Sequence, residues 1–224
     1  MSTTNKFPKE GDIMKQLKLG GLSAILLTVI YTIGIVMQGT ILNTGHLETV
    51  AERFAFAGQH ANLMILWVSL LYIIFGVILI VLTVAIHDMI TIHNGFMSRL
   101  IMGFGLVWST LVIASGMIYN NGLLTALKFD SVAIYEMTQT IHSSIGGNNE
   151  IIGGIWTLLI VMAGFKYQLF PKWVGVIGLG AGVGGVLTMV PSLYESTIMV
   201  FALGQMVWWI GIGIHLLRKK VIYG

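Results

Sequence analysis

Long apolar runs dominate this chain, and they decide what it can fold into. They cover about residues 19–37, 61–86, 100–118, 150–166, 173–190 and 198–217. In hydrocarbon every backbone N–H and C=O must be paired within the structure, so a run of this kind crosses as a helix. About 20 apolar residues suffice for the roughly 30 Å core of a bilayer. Charged residues make up 9% of the chain, against roughly 25% in a soluble domain. Such a chain cannot clothe a water-facing surface. The expected fold is all-α: a single polytopic membrane helix bundle over 1–224, with about six transmembrane helices and lipid as its first partner.

The first run follows a lysine-bearing segment. It is too long for a signal-peptide core and no small-residue cleavage pattern follows it, so it reads as a retained helix. Lysine and arginine then set the orientation. With the N-terminus inside, Lys6, Lys9, Lys15, Lys18, Arg99, Lys166, Lys172, Arg218, Lys219 and Lys220 are cytoplasmic, and only Arg53 and Lys128 are outside. Both termini are therefore expected on the cytoplasmic face of a plasma membrane. The net charge of +3 resides at helix ends and signals topology rather than nucleic-acid binding.

Two outer connections, 39–60 and 120–149, are long. Each carries apolar residues at helical spacing: Leu47, Val50, Ala51 and Phe54 in the first, Ile134, Met137, Ile141 and Ile145 in the second, with Ser131 as a candidate N-cap. Two amphipathic interfacial helices are expected there, lying along the headgroups or folded over the bundle. The inner run His87 to His93 reads as a solvated turn.

Chemistry is harder to place. The chain has no cysteine, which excludes disulfides, thiolate metal sites and cysteine nucleophiles. Its 13 methionines fit gap-filling in the core. No zinc-protease, Walker or nucleophile-elbow motif is present. The fifth run is rich in glycine; Gly178 with Gly182, and Gly180 with Gly184, form small-xxx-small pairs that let helix backbones approach closely.

The histidines fall at two depths. His60 and His87 flank the second run, about 40 Å apart on a helix. His142 can approach His60 outside, and His215 can approach His87 inside. Paired imidazoles at two depths are what two b-type haems require, although interfacial histidines also occur without any cofactor. His60, His142 and Glu150 together suit a divalent metal or a proton relay. Glu150 opens the fourth run after Asn148 and Asn149, a position also explained by a helix dipole alone. Gln38, Asn62, Asn120, Asn121 and Asn149 lie at similar outer depth and suggest a polar cavity. Gln205 lies deep in the sixth run, where an unpaired amide is costly. Trp208 and Trp209 follow too deep for an interfacial belt, and one of them is expected inside the bundle.

The stretch Phe170, Pro171, Lys172, Trp173, Val174 leading to Gly178 and Gly182, and the later Pro191 to Glu195 before a Trp-bearing last helix, resemble a group of bacterial and archaeal membrane proteins. That group is catalogued as a domain of unknown function. The resemblance covers mainly the last third of the chain. It implies the six-helix architecture in a prokaryotic inner membrane and no particular activity.

Three functional readings compete, the first favoured by the glycine-rich fifth run and by the absence of a sharp catalytic motif. The chain is a packing or anchoring subunit of a larger membrane complex (or a homo-oligomer), a redox or metal protein, or a small-solute transporter. The orientation is testable directly, since the chain has no native cysteine. Single cysteines introduced at Lys128 and Lys219 are expected to react with impermeant reagents from opposite sides, Lys128→Cys from outside. Labelling of both from one side refutes an even number of spans.

Overall fold

The computed structural model describes residues 10–147 and 149–219, so Lys6, Lys9, Asn148 and Lys220 lie outside the described residues. All regular structure among those described is helical. It comprises α1 (Glu10–Gly39), α2 (Val50–Gln59), α3 (Ala61–Val68), α4 (Phe75–Thr91), α5 (Gly95–Lys128), α6 (Val132–His142), α7 (Glu150–Tyr167), α8 (Lys172–Leu187) and α9 (Tyr194–Arg218). Two π-helical segments interrupt this order. Ser69–Ile74 joins α3 to α4 without a break, and Ser143–Gly147 follows α6.

Among the described residues, five segments are long and apolar enough to cross a membrane: Met14–Gly39, Ala61–Thr91, Gly95–Lys128, Val132–Tyr167 and Pro191–Arg218. The glycine-rich α8 is apolar but has only 16 residues, about 24 Å of helix.

Local chemistry sets the helix ends. Thr49 and Glu52 form a capping box: the Thr49 hydroxyl accepts from the Glu52 N–H at 3.2 Å, and the Glu52 carboxylate accepts from the Thr49 N–H at 2.9 Å. These bonds, the one from the Thr49 backbone foremost, hold the Glu52 carboxyl below the usual carboxylate range. Ser131 caps α6 through the Ile134 N–H. Asn94 caps α5, accepting from Phe96 and Met97. Gln168 turns left-handed at φ 53° to end α7, and Pro171 prevents its continuation.

Two expectations need correction. The His87 to His93 run is not a solvated turn. Helix α4 continues through Thr91 with Met89 and Ile90 buried, because that apolar pair completes the inward stripe begun at Leu82 and Ile86. The second long connection is also mostly helix: α5 runs 34 residues to Lys128, so Asn120 and Asn121 sit within it rather than in a loop.

Helices α4, α5, α7, α8, α9 and α1 pack side by side in that order, and α1 returns to α4 to close the ring. Both tryptophans of the pair at 208–209 are buried, not one. Trp208 and Trp209 join Trp108 and Trp156 in one central cluster, with centroids 5.6 Å apart for Trp108–Trp156, 5.8 Å for Trp156–Trp208 and 6.4 Å for Trp108–Trp209. A second apolar core joins α2, α3, α6 and the last turns of α5 through Phe54, Met64, Leu123 and Tyr135. The two amphipathic helices are thus folded onto the bundle.

Glycine makes the α7–α8–α9 layer possible. A Cβ on Gly154 would lie 2.7 Å from the Gly182 carbonyl oxygen, and one on Gly178 would lie 2.5 Å from Trp208 Nε1 and 2.7 Å from Val161 Cγ2. A Cβ on Gly184 would lie 3.1 Å from Phe201 N in the α9 backbone. Gly180 differs: a Cβ there meets nothing within 4 Å, because it lies on the opposite face of α8. The close-packing glycines are therefore engaged within this chain. Gly178→Leu and Gly182→Leu are each expected to lower stability by about 1–3 kcal/mol or more, and Gly180→Leu by less than about 0.5 kcal/mol. Thermal unfolding of the purified variants measures this; equal loss for all three contradicts the packing.

Candidate functional site

Where α1, α4, α5, α7 and α9 face one another, the ring is incompletely filled. A cavity of about 110 Å³ remains. Its walls are Tyr31 of α1, Leu71 and Tyr72 of the first π segment, Phe75 of α4, Trp108 and Val112 of α5, Gly146, Asn149 and Glu150 around the start of α7, and Phe201, Ala202, Gln205 and Trp209 of α9. The aromatic rings are locked against each other. Trp209 packs on Phe75 at 5.5 Å and on the edge of Tyr31 at 6.2 Å, while Trp108 packs on Phe201 at 6.2 Å. Trp108 Nε1 donates to Asn149 Oδ1 at 3.1 Å.

The polar groups are less complete. Glu150 Oε2, Gln205 Nε2 and Trp209 Nε1 are buried without a hydrogen-bond partner, although Gln205 Oε1 lies 3.2 Å from Thr157 Oγ1. Among the described residues, no Lys, Arg or His lines the cavity. Leaving a buried polar group unpaired costs about 1–3 kcal/mol, and more if it is charged. Three such groups belong to residues that line this cavity.

A second, wider cavity of about 680 Å³ lies under α2 and α6, with Gln38, Arg53, Tyr119, Tyr135, Gln139 and His142 among its walls. Tyr72 stands between the two. It lines the first, and its ring lies 4.7 Å from that of His142, which lines the second. His142 is held from behind, its Nδ1 placed 2.7 Å from Ser115 Oγ and 3.1 Å from Ser115 O, while the Ser115 hydroxyl lies 2.9 Å from the His142 carbonyl. Asn120 donates to Ser69 Oγ at 2.9 Å, tying α5 to the start of the first π segment. Both π segments therefore face this partition, Tyr72 from one and Gly146 from the other. Single-turn π insertions of this kind are frequent at functional sites.

The sequence-derived candidates separate. Glu150, Asn149 and Gln205 line the inner cavity, whereas His142 and Gln38 line the outer one. His60 lines neither: it caps α2, stacks on Phe56 at 4.3 Å and bonds the Phe56 carbonyl through Nδ1. His87 bonds Ser98 at 2.6 Å, and His215 lines a separate pocket with Gln168 and Lys172. No hydrogen bond or ring contact joins His60 to His142, or His87 to His215, among the described residues. No group of three or more His, Asp or Glu side chains there is placed to hold a metal ion. Asn62 is exposed, and Asn121 bonds back to the Met117 carbonyl. Sequence reasoning missed Tyr31, Tyr72 and Trp108. The available signal was their depth, since tyrosine and tryptophan in apolar runs favour the interfaces and these stand well inside.

Fold and composition together define a multi-pass helical membrane protein. Residues 19–219 match a family described as a domain of unknown function (DUF4386), and the chain belongs to that family. No curated protein and no solved structure matches it. Ser115→Ala is expected to cost about 1–3 kcal/mol by leaving the His142 carbonyl without its hydroxyl donor. Thermal unfolding of the purified variant measures this; an unchanged transition shows that the partition does not depend on that pair.

Proposed function

We propose that this protein is a six-span plasma-membrane protein that takes up a small polar solute, from the outer side, into the cavity beside Glu150. The observation that supports this reading is the set of unpartnered polar atoms on Glu150, Gln205 and Trp209 beside one cavity. A packing protein gains nothing from such a set; a binding protein recovers its cost when the solute arrives. The two π segments support it further, because irregular helix where a membrane bundle lines a cavity is a feature of solute-binding folds.

The short α8 counts as the sixth crossing. Its glycines bring it within backbone distance of α7, which is itself part of a long apolar segment. With six crossings the basic residues gather at the cytoplasmic helix ends and Glu150 lies toward the outside. Docking onto another subunit has less support, since the glycine seam that suggested it is consumed between α7, α8 and α9.

A cavity-filling substitution tests the reading. Ala202 lines the space, and Ala202→Phe occupies it. A thermal-shift screen of small charged and neutral solutes is expected to find at least one that stabilises the wild type, by about 2.7 kcal/mol at a hundred times its Kd. That solute should leave Ala202→Phe unshifted. If every stabilising solute acts equally on both proteins, the cavity is not the binding site.

A further inference from the structure

We infer that the solute is a small organic cation, an alkylammonium headgroup held by the Glu150 carboxylate and the faces of the surrounding aromatic rings. This deepens the proposed solute-binding function and rests on it. The first argument is charge. Glu150 places a carboxylate in a largely aromatic cavity whose walls, among the described residues, contain no Lys, Arg or His. A buried carboxylate is costly unless paired, so its partner must arrive with the ligand or as a proton.

The second argument comes from Gln205, which is 1% exposed. The Thr157 hydroxyl lies 2.9 Å from the Gly153 carbonyl and 3.2 Å from Gln205 Oε1. One hydroxyl proton cannot serve two carbonyl oxygens fully, and the shorter contact claims it. Turning the Gln205 amide over, an exchange of O and N that hydrogen bonding must decide, lets its N–H donate to Thr157 Oγ1. The amide oxygen then replaces the nitrogen that had no partner. Beside the Tyr31 and Tyr72 hydroxyls and Asn149, the polar lining then holds a carboxylate and a carbonyl, two acceptors whose negative charge suits a cation.

The third argument is the wall itself. Tyr31, Tyr72, Phe75, Trp108, Phe201 and Trp209 all line the space, and aromatic faces attract ammonium ions, with tryptophan the strongest. Trp209 Nε1–H, which has no partner, and the Tyr31 and Tyr72 hydroxyls are the donors beside the two acceptors. A volume of about 110 Å³ is well below the roughly 300–1,000 Å³ of drug-sized sites, so the headgroup is small.

Trp108 and Trp209 report on the cavity by fluorescence. The full chain in detergent or nanodiscs is titrated with tetramethylammonium chloride, with tert-butanol as a neutral probe of similar shape, and with sodium chloride to control for ionic strength. Tetramethylammonium is expected to give a saturable change and tert-butanol to bind about tenfold more weakly or worse. Glu150→Gln should weaken the cation about tenfold or more and leave tert-butanol unaffected. The wild-type comparison stands even if that variant fails to fold. Equal binding of the two probes, or saturation by tert-butanol alone, overturns the cation assignment and leaves a neutral-solute site. No saturable response to either probe, with no stabilising solute in the Ala202→Phe comparison, overturns the solute-binding reading as well, and Glu150 then carries a proton.

Discussion

Backbone approach at the glycines of α7 and α8 is the contact on which the rest of the bundle depends. Without a side chain at Gly154, Gly178 or Gly182, α8 settles close enough for Trp208 to lie over Gly178. Trp208 then meets Trp156, which meets Trp108. In hydrocarbon the hydrophobic effect no longer drives helices together, so van der Waals contact between small residues and large rings must do it. The tryptophans fill the middle of the ring, and their size keeps α1, α4, α5, α7 and α9 from closing completely. The cavity is what that arrangement leaves.

Its contents follow from the same geometry. α9 contributes Gln205 and Trp209, one turn apart on one face, and α7 contributes Glu150 from its first residue. Neither helix supplies a basic group opposite the carboxylate. Such a site is held open by its rings and left electrostatically incomplete. The partition beside it is built differently, from hydrogen bonds through Ser115, His142, Ser69 and Asn120 and from two π segments. Two unlike spaces therefore meet at Tyr72, a wide polar one under α2 and α6 and a narrow aromatic one within the ring.

Periodicity foretold the helices α2 and α6, and Ser131 caps α6 as its hydroxyl suggests. The face of α6 was misread: Met137 and Ile141 are exposed, while Tyr135, Thr138 and His142 are buried. The extension of α5 to Lys128 was hidden because Asn120 and Asn121 look like loop residues, although Asn120 bonds to Ser69 across to the neighbouring helix and Asn121 to its own. Gln205 and one of Trp208 and Trp209 were legible as interior groups from their depth alone; that both tryptophans are buried was not. Grouping Glu150 with His60 and His142 rested on shared depth. Depth is one coordinate, and it says nothing about which way around a helix a side chain points.

By itself, the sequence determined that this chain belongs in a membrane, that its spans are helices, and that the fifth run is rich in glycines able to pack. Those properties follow from local composition, since each residue's solvent preference and each backbone hydrogen bond are settled within a few positions. The tertiary structure alone decided that Gly180 faces away while Gly178 and Gly182 face in, that Glu150 keeps company with Gln205 and aromatic rings instead of histidines, and that Tyr72 divides two cavities. Each of these depends on helix rotation and on the order in which helices close the ring. Contacts between residues far apart in the chain fix both, and no single stretch of sequence records them.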